Sequence, residues 1–508
     1  MNEKFMENLN NVLKEEYNVS VTENGAIGYR TTGKKLLDIN FSISSLRKAS
    51  ELEVAKKFEA VFLENKLLGV KWLFYAADVR GGVGERRLFR IGIKWLADAY
   101  PEVARAILPL VAEYTRWDNL FVLLETELKD DVIGIVKTQL NEDLVNLKDG
   151  KSISLLGKWM PSETAKNATT RKYAKILCSG LELTDRRYRK MLSKLRAYLK
   201  VVEVSMSKNE WNNIEYSAVP SRANLIYGKA FIKHDKERRE EFLESLTKGE
   251  TKINASVLFP HDIVHKYGRS GEDTVLEELW KALPDYVQGN GKTICVSDGS
   301  GSMTSRVGRN STVSCLDVAI SLAIYFSERC TGQFKNKYIS FSESPQIVDL
   351  LENNTLRDKI RIARCYNEVA NTNIEAVFDL VLDTAIKFHM TQEDLPDNIL
   401  ISSDMEFDEC AESNDGYGVS QKLFDVIAKR YADAGYKLPR LVFWNIGSST
   451  GTIPVKENEL GVALVSGFSP AIVKMVLSNS TDPLECLLEQ INSERYAAVE
   501  EALKDVIH

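Results

Sequence analysis

Histidine is scarce in this chain, with five in 508 residues, and cysteine is thinly scattered. The seven cysteines (178, 295, 315, 330, 365, 410 and 486) include no C-x-x-C pair. That count and spacing exclude a disulfide framework and a thiolate zinc site, and lead us to expect reduced thiols in a cytoplasm. No stretch approaches ~18 uncharged apolar residues, so no membrane span is expected. The opening MNEKFMENLNNVLKEEYNV is charged and lacks an apolar core, so no secretory signal is expected. No Ser-His or Cys-His grouping is visible, and the chain is not expected to be an enzyme.

What is present is an ordinary globular composition, 44% apolar and 27% charged. At this length more than one hydrophobic core is expected. The net charge of −6 hides an asymmetry. Residues 1–290 hold 46 basic and 41 acidic side chains, whereas 291–508 hold 20 and 31. Within the first part, residues 151–200 carry 13 basic and only 3 acidic groups. Such a concentration serves a polyanion or is simply a solvated helical face.

The apolar period from 49 to 180 is helical, as in SELEVAKKFEAVFLENKLLGVKWLFYAADVR and RRLFRIGIKWLADAY. Further helices are expected at 184–200 and 234–248. Short polar breaks between helix pairs point to a solenoid-like stack, although no repeat of fixed period is found. After Pro284 the pattern changes to apolar strands alternating with amphipathic helices: KTICVS, KYISFS, NILISS, LVFWNI and GVALVS. These are βαβ units of a mostly parallel, doubly wound sheet. The fold class expected is therefore α + α/β, with an all-α helical-repeat (HEAT-like) domain over 1–289 and a doubly wound α/β domain over 290–508.

Asp298-Gly299-Ser300-Gly301-Ser302 stands where the first α/β strand ends. Ligands of open α/β sheets bind beyond the carboxyl ends of strands. One carboxylate and two hydroxyls on a glycine-relaxed loop are hard oxygen donors of the kind Mg2+ takes. The other reading is a Ser/Gly turn that caps the next helix. Thr372 opens a later helix, and Asp404 follows the strand NILISS, so both could converge on the same point.

This order of D-x-S-x-S, then Thr, then Asp resembles the metal-ion-dependent adhesion site (MIDAS) of von Willebrand factor A domains over roughly 291–480. The resemblance implies that Ser300, Ser302 and Thr372 ligate Mg2+ or another divalent cation, directly or through water. It implies that Asp298 and Asp404 bind mainly through water. Asn371 stands where that family usually has glycine. Earlier blocks also look familiar: Asp78-Val79-Arg80-Gly81-Gly82-Val83-Gly84-Glu85-Arg86, Tyr114-Thr115-Arg116-Trp117-Asp118 and Leu156-Gly157-Lys158-Trp159-Met160-Pro161-Ser162. With Val219-Pro220-Ser221, Trp444-Asn445 and Ser466-Gly467-Phe468-Ser469, they resemble a family known as a domain of unknown function. That family occurs in plants, fungi, bacteria, phages and large viruses. More distantly, the first block followed by an adhesion-type domain resembles the Ro ribonucleoproteins, built on the TROVE module. Those proteins close a ring of helical repeats and bind small noncoding and misfolded RNAs.

On that footing Arg80, Arg86 and Arg87 could present guanidinium forks to phosphate, or could pair with Asp78 and Glu85 to pin a helix joint. Lys158 and Trp159, with Lys172, would suit single-stranded RNA, or could be a buried indole beside a solvated lysine. Arg186, Arg187, Arg189 and Lys190 lie along one helix, with 186 and 190 one turn apart on a shared face, which favours an anionic partner. His261 and His265 are spaced like zinc ligands, but Asp262 replaces the usual base and a structural role is expected. The function expected is a cytoplasmic, non-catalytic RNA-binding scaffold. Its partners would be a small noncoding or structured RNA and a protein offering Asp or Glu to the metal, with no membrane and no readout of DNA sequence. The alternative is a Mg2+-dependent protein assembly module with no RNA role.

Overall fold

The computed structural model describes residues 17–267, 273–287, 292–341, 343–367, 372–408, 423–455, 461–472, 475 and 482–507. They fall into two compact units. One comprises residues 1–50, 259–269 and 283–491, the other 51–258, 270–282 and 492–508. The architecture is α-rich, with a helical region in the first half and a mixed sheet in the second. The units interleave along the chain, where the sequence reading draws one boundary at 289/290. Each terminal segment carries apolar residues that bury in the unit remote from it in sequence: Leu37, Ile39 and Phe41 in the sheet unit, Tyr496, Val499 and Leu503 in the helical one.

The sheet unit holds six strands: β3 (Thr293–Asp298), β4 (Lys337–Phe341), β5 (Gln346–Asp349), β6 (Asn398–Ser403), β7 (Arg440–Asn445) and β8 (Val462–Ser466), in the order β5-β4-β3-β6-β7-β8. All neighbours are parallel except β4 and β5. Ile399, Leu400 and Ile401 of β6 and Leu441 to Trp444 of β7 are buried without alternation, as expected of parallel strands covered on both faces. The helix Cys315–Arg329 is buried along most of its length. Ser314 caps it, accepting the Asp317 amide at 3.0 Å, while Asp317 accepts the Ser314 amide at 3.4 Å. Asp317 also meets His265 Nδ1 at 2.8 Å, and His265 Nε2 lies 2.9 Å from the Thr312 hydroxyl. His265 thus ties the short helix Pro260–Val264 to the sheet's cover.

Two features of this unit escaped the sequence reading. β5 is a short antiparallel edge strand. A hairpin, β1 (Val19–Val21) and β2 (Ile27–Tyr29), joins β2 to the β7–β8 connection, with Tyr29 and Ile453 exchanging both backbone hydrogen bonds at 2.8 Å. Gly28 is required there, because a Cβ would stand 2.6 Å from the Ile453 carbonyl oxygen.

The helical unit contains no strand among the described residues. Its centre is the helix Lys66–Ala77, buried from Gly69 to Ala77 and flanked by Glu51–Glu64 and Arg86–Ala99. KLLGVKWLFYAA is apolar on nearly every side, as suits a helix covered all round. Asn65 caps it through the Leu68 amide at 3.0 Å. Lys71 on this helix is buried and bonds Asn492 at 3.0 Å and Glu500 at 2.5 Å. After Ala77 the chain folds back, with the Val83 amide on the Tyr75 carbonyl at 3.1 Å. A Cβ at Gly82 would stand 2.0 Å from that oxygen, so the glycines of this block serve the turn.

Of the cysteines described, Cys178, Cys295, Cys315, Cys330 and Cys486 are buried, Cys365 is exposed, and all are free thiols. Cys410 lies outside the described residues. Among those residues no helix is long and apolar enough to cross a membrane.

Candidate functional site

In the sheet unit the order of strands reverses direction between β3 and β6, which makes their carboxyl ends the switch point where open α/β sheets hold ligands. Asp298 ends β3 and Asp404 follows β6 at that point. Their exposures are 0% and 3%; Ser300 and Thr372 are each at 1%. Asp298 accepts the Ser300 amide at 2.8 Å and the Ser403 hydroxyl at 2.5 Å. The hydroxyls of Ser300 and Ser302 are 3.1 Å apart. Asp404 accepts the Glu406 amide at 3.3 Å. Thr372 joins the same rim through Asp408, whose amide donates to the Thr372 carbonyl at 3.0 Å and whose charge acts on Asp298. Asn371 lies outside the described residues.

Burial pushes the Asp298 carboxyl above its ordinary range, against the bonds from Ser403 and Ser300. Asp404 is pushed up to about 7, first by burial and then by the charge of Asp298. Among the described residues neither carboxylate has an ion-pair partner. Two buried like charges with no counter-charge fit a divalent cation, and every donor is a hard oxygen. Among the described residues no three His, Cys, Asp or Glu side chains form a metal-holding group. A cation here would therefore depend on the hydroxyls of Ser300, Ser302 and Thr372 as well as on Asp298 and Asp404.

Glu406 was not anticipated from the sequence. It is 1% exposed, and its carboxylate accepts the amides of Glu23, Ser449 and Thr450 at 2.8–3.0 Å. The Ser448 and Thr450 hydroxyls donate to it as well, at 2.9 Å each. Burial would raise this acid; the amides and hydroxyls hold it below the usual range.

In the helical unit four arginines share one neighbourhood. Arg86 opens the helix Arg86–Ala99, Arg90 lies one turn along it, Arg116 precedes a short 3-10 turn, and Arg222 is in the first turn of the helix Ser221–His234. Arg86 is lowered to about 10, first by burial and then by the charges of Arg116, Arg90 and Arg222, with Asp118 the opposing charge. Asp118 is already engaged by Arg90 at 2.8 Å and by Arg116 at 2.5 Å. Among the described residues the Arg86 guanidinium has no hydrogen bond of its own. The Arg116 guanidinium lies over the Trp159 ring, 3.9 Å from its centroid, and Lys158 approaches the same ring at 5.4 Å.

The other residues singled out from the sequence divide. Arg80 is exposed and Arg87 half-buried. Asp78 is buried against Arg495 and Tyr496, and caps the Arg80 amide at 2.9 Å. On the helix Asp185–Tyr198, Arg186, Arg187 and Lys190 are exposed, while Arg189 is paired with Glu163 at 2.7 Å. Lys172 is paired with Glu125. Arg196 turns inward to the Gly157 and Met160 carbonyls at 3.0 and 2.7 Å. Arg90 and Arg222 were not anticipated, because nothing local relates positions so far apart in the chain. A pocket of about 730 Å3 in this unit is lined by Pro109, Trp117, Asp130, Asp131 and Gln139 and is acidic.

Two family models match the chain, both described as domains of unknown function: DUF2828 over residues 126–293 and DUF7788 over residues 292–505. A protein of Acanthamoeba polyphaga mimivirus, "Uncharacterized protein L728", is 30% identical over 515 residues, covering 93% of this chain and 87% of its own. Among solved structures, the Ro (RSR) protein of Deinococcus radiodurans is a distant likeness, 14% identical with a TM-score of 0.40, over 89% of this chain and 93% of that one.

Proposed function

On the premise that this chain belongs to the same family as the mimivirus protein, we propose that it is a non-catalytic RNA-binding scaffold. The observation that carries this is Arg86. A half-buried guanidinium under the charges of Arg116, Arg90 and Arg222, opposed by an Asp118 that other arginines already engage, is electrostatically unfavourable unless an anion joins it. A phosphate of RNA is such an anion. Arg186, Arg187 and Lys190 supply further positive charge on an open helix face, and Lys158 and Trp159 flank Arg116. On this reading the partner is a small noncoding or structured RNA, and the helical unit is a TROVE-like, HEAT-like stack.

The sheet unit on the same reading is a von Willebrand factor A-like domain with a MIDAS. Asp298, Ser300, Ser302, Thr372 and Asp404 would hold the Mg2+. The ion would supply a hard positive centre to which a partner protein's Asp or Glu could add. The test is binding of labelled structured RNA by the full chain at several salt concentrations. Affinity should fall steeply with salt, as phosphate contacts release counterions. Indifference to RNA at low salt would leave the second reading, a Mg2+-dependent protein assembly module. The Asp298–Asp404 pair favours that one independently of the arginines.

A further inference from the structure

The hairpin β1–β2 ends in a turn that lies on the rim of the candidate metal centre. Thr22 accepts the Ala26 amide at 3.0 Å and donates its hydroxyl to the Phe407 carbonyl at 2.6 Å. The Glu23 amide donates to Glu406 at 2.9 Å. Gly25 forms an antiparallel bridge with Asp408. Between these, the Asn24 carboxamide donates to the Glu406 carbonyl at 2.7 Å and to the Thr372 hydroxyl at 3.3 Å. One amino group therefore spans the Thr372 loop and the turn after Asp404. Met405 in that turn has φ +65°, a conformation the Met405 amide's bond to the Ser403 hydroxyl, at 2.9 Å, helps to hold.

We infer that Asn24 is a positioning residue of the metal centre, orienting the Thr372 hydroxyl for a divalent cation. The inference rests on the reading of Asp298, Ser300, Ser302, Thr372 and Asp404 as that centre. A threonine hydroxyl has one proton and two lone pairs. The amide of Asn24 occupies one lone pair, so the other is left for a cation, in a direction fixed by the hairpin. The Thr372 carbonyl is already used by the amides of Asp408 and Ile374, at 3.0 and 3.1 Å, which holds the backbone beneath that hydroxyl. Groups that orient ligands from behind set metal affinity by about 10–100-fold. Asn24 itself is exposed, and burial gives no other account of its place.

The experiment is titration of the full-length, EDTA-treated protein with MgCl2, by calorimetry and by melting. Asn24→Ala should weaken the Mg2+ Kd by about tenfold and leave the melting temperature in EDTA at the parent value. Asn24→Gln, which keeps the donor, should recover part of the affinity. Ser20→Ala serves as the control on the same hairpin: it removes the 2.9 Å contact with Thr452 away from the rim and should leave the Mg2+ Kd unchanged. If Asn24→Ala is poorly folded, Asn24→Leu keeps the size without a donor and is read in the same way. A parental Kd in the Asn24 variants would overturn the inference and leave the metal reading standing. A parent protein that does not respond to Mg2+ would overturn both.

Discussion

Ser403, the last residue of β6, donates its hydroxyl to Asp298, the last residue of β3, at 2.5 Å. That bond crosses the switch point of the sheet and holds one buried carboxylate in place beside another. It stabilises the charged form of Asp298 only in part, because burial and the charge of Asp408 still raise its pKa.

The first prediction follows from this pair. Asp404→Asn removes one of two buried like charges, so the variant should melt in EDTA at or above the parent temperature. Asp298→Ala should leave the sheet folded, since the residue stands at its end. Added Mg2+ should stabilise the parent by about 2.7 kcal/mol at a hundredfold excess over Kd and stabilise either variant far less. Equal responses of parent and variants to Mg2+ would remove these two residues from the site.

Arg86→Ala should separate binding from stability. Its guanidinium is repelled by three others, so the variant should melt at or above the parent temperature. RNA affinity should fall by about 1.5–3 kcal/mol, the worth of a charge-assisted hydrogen bond. Arg86→Lys should restore only part of it, because the fork is lost. A fall in melting temperature with unchanged affinity would make Arg86 a structural residue.

The exposed face of the helix Asp185–Tyr198 should act through salt. Arg186, Arg187 and Lys190 replaced together by Ala should flatten the slope of log K against log salt by about 2, at ~0.7 per lost contact with a single strand. Adding Arg189→Ala to the set should remove less than a full contact, since Glu163 already pairs with it. A parental slope would mark this face as merely solvated.

Trp159→Ala should cost both stability and affinity. Arg116 covers one face of the ring, so a base could stack only on the other. Loss of the cation–π contact should cost about 0.5–2 kcal/mol in melting experiments. Loss of a stacked base should cost ~1–3 kcal/mol in RNA binding with the salt slope unchanged.

Asp317 gives a prediction in pH. Burial alone would raise its pKa, but hydrogen bonds from His265 and the Ser314 amide, with the charges of His265 and Arg364, lower it below the ordinary value. A lowered acid stabilises the fold above its unfolded pKa, and that contribution is lost as pH falls through the folded value. The parent should therefore lose stability below pH ~4 more steeply than Asp317→Asn, which should be weaker at pH 7. Parallel pH profiles would refute the assignment.

The strands and most helices were legible in the sequence because their apolar periods are long and unmixed, as in NILISS or KLLGVKWLFYAA. The carboxylates and hydroxyls of the rim were legible because strand ends announce themselves. Asn24, Glu406 and Ser403 were not, for each acts through partners up to hundreds of residues away, and Asn24 stands in an unremarkable polar turn. The same holds for Arg90 and Arg222. Pairing of Asp78 with nearby arginines was one of two readings of its block; the structure pairs Asp78 with Arg495, which no local pattern could supply.

That last pairing sets an order on synthesis. Asp78 leaves the ribosome 417 residues ahead of Arg495, on the order of 20–80 s at ~5–20 residues per second. Throughout that interval Lys71 and Asp78 lack the side chains of Asn492, Arg495 and Glu500 that meet them in the finished fold. The buried centre of the helical unit therefore draws on side chains made more than 400 residues later, Asn492, Arg495 and Glu500. A chain that stops short of residue 492 keeps the Arg80 amide on Asp78 but offers Lys71 neither Asn492 nor Glu500.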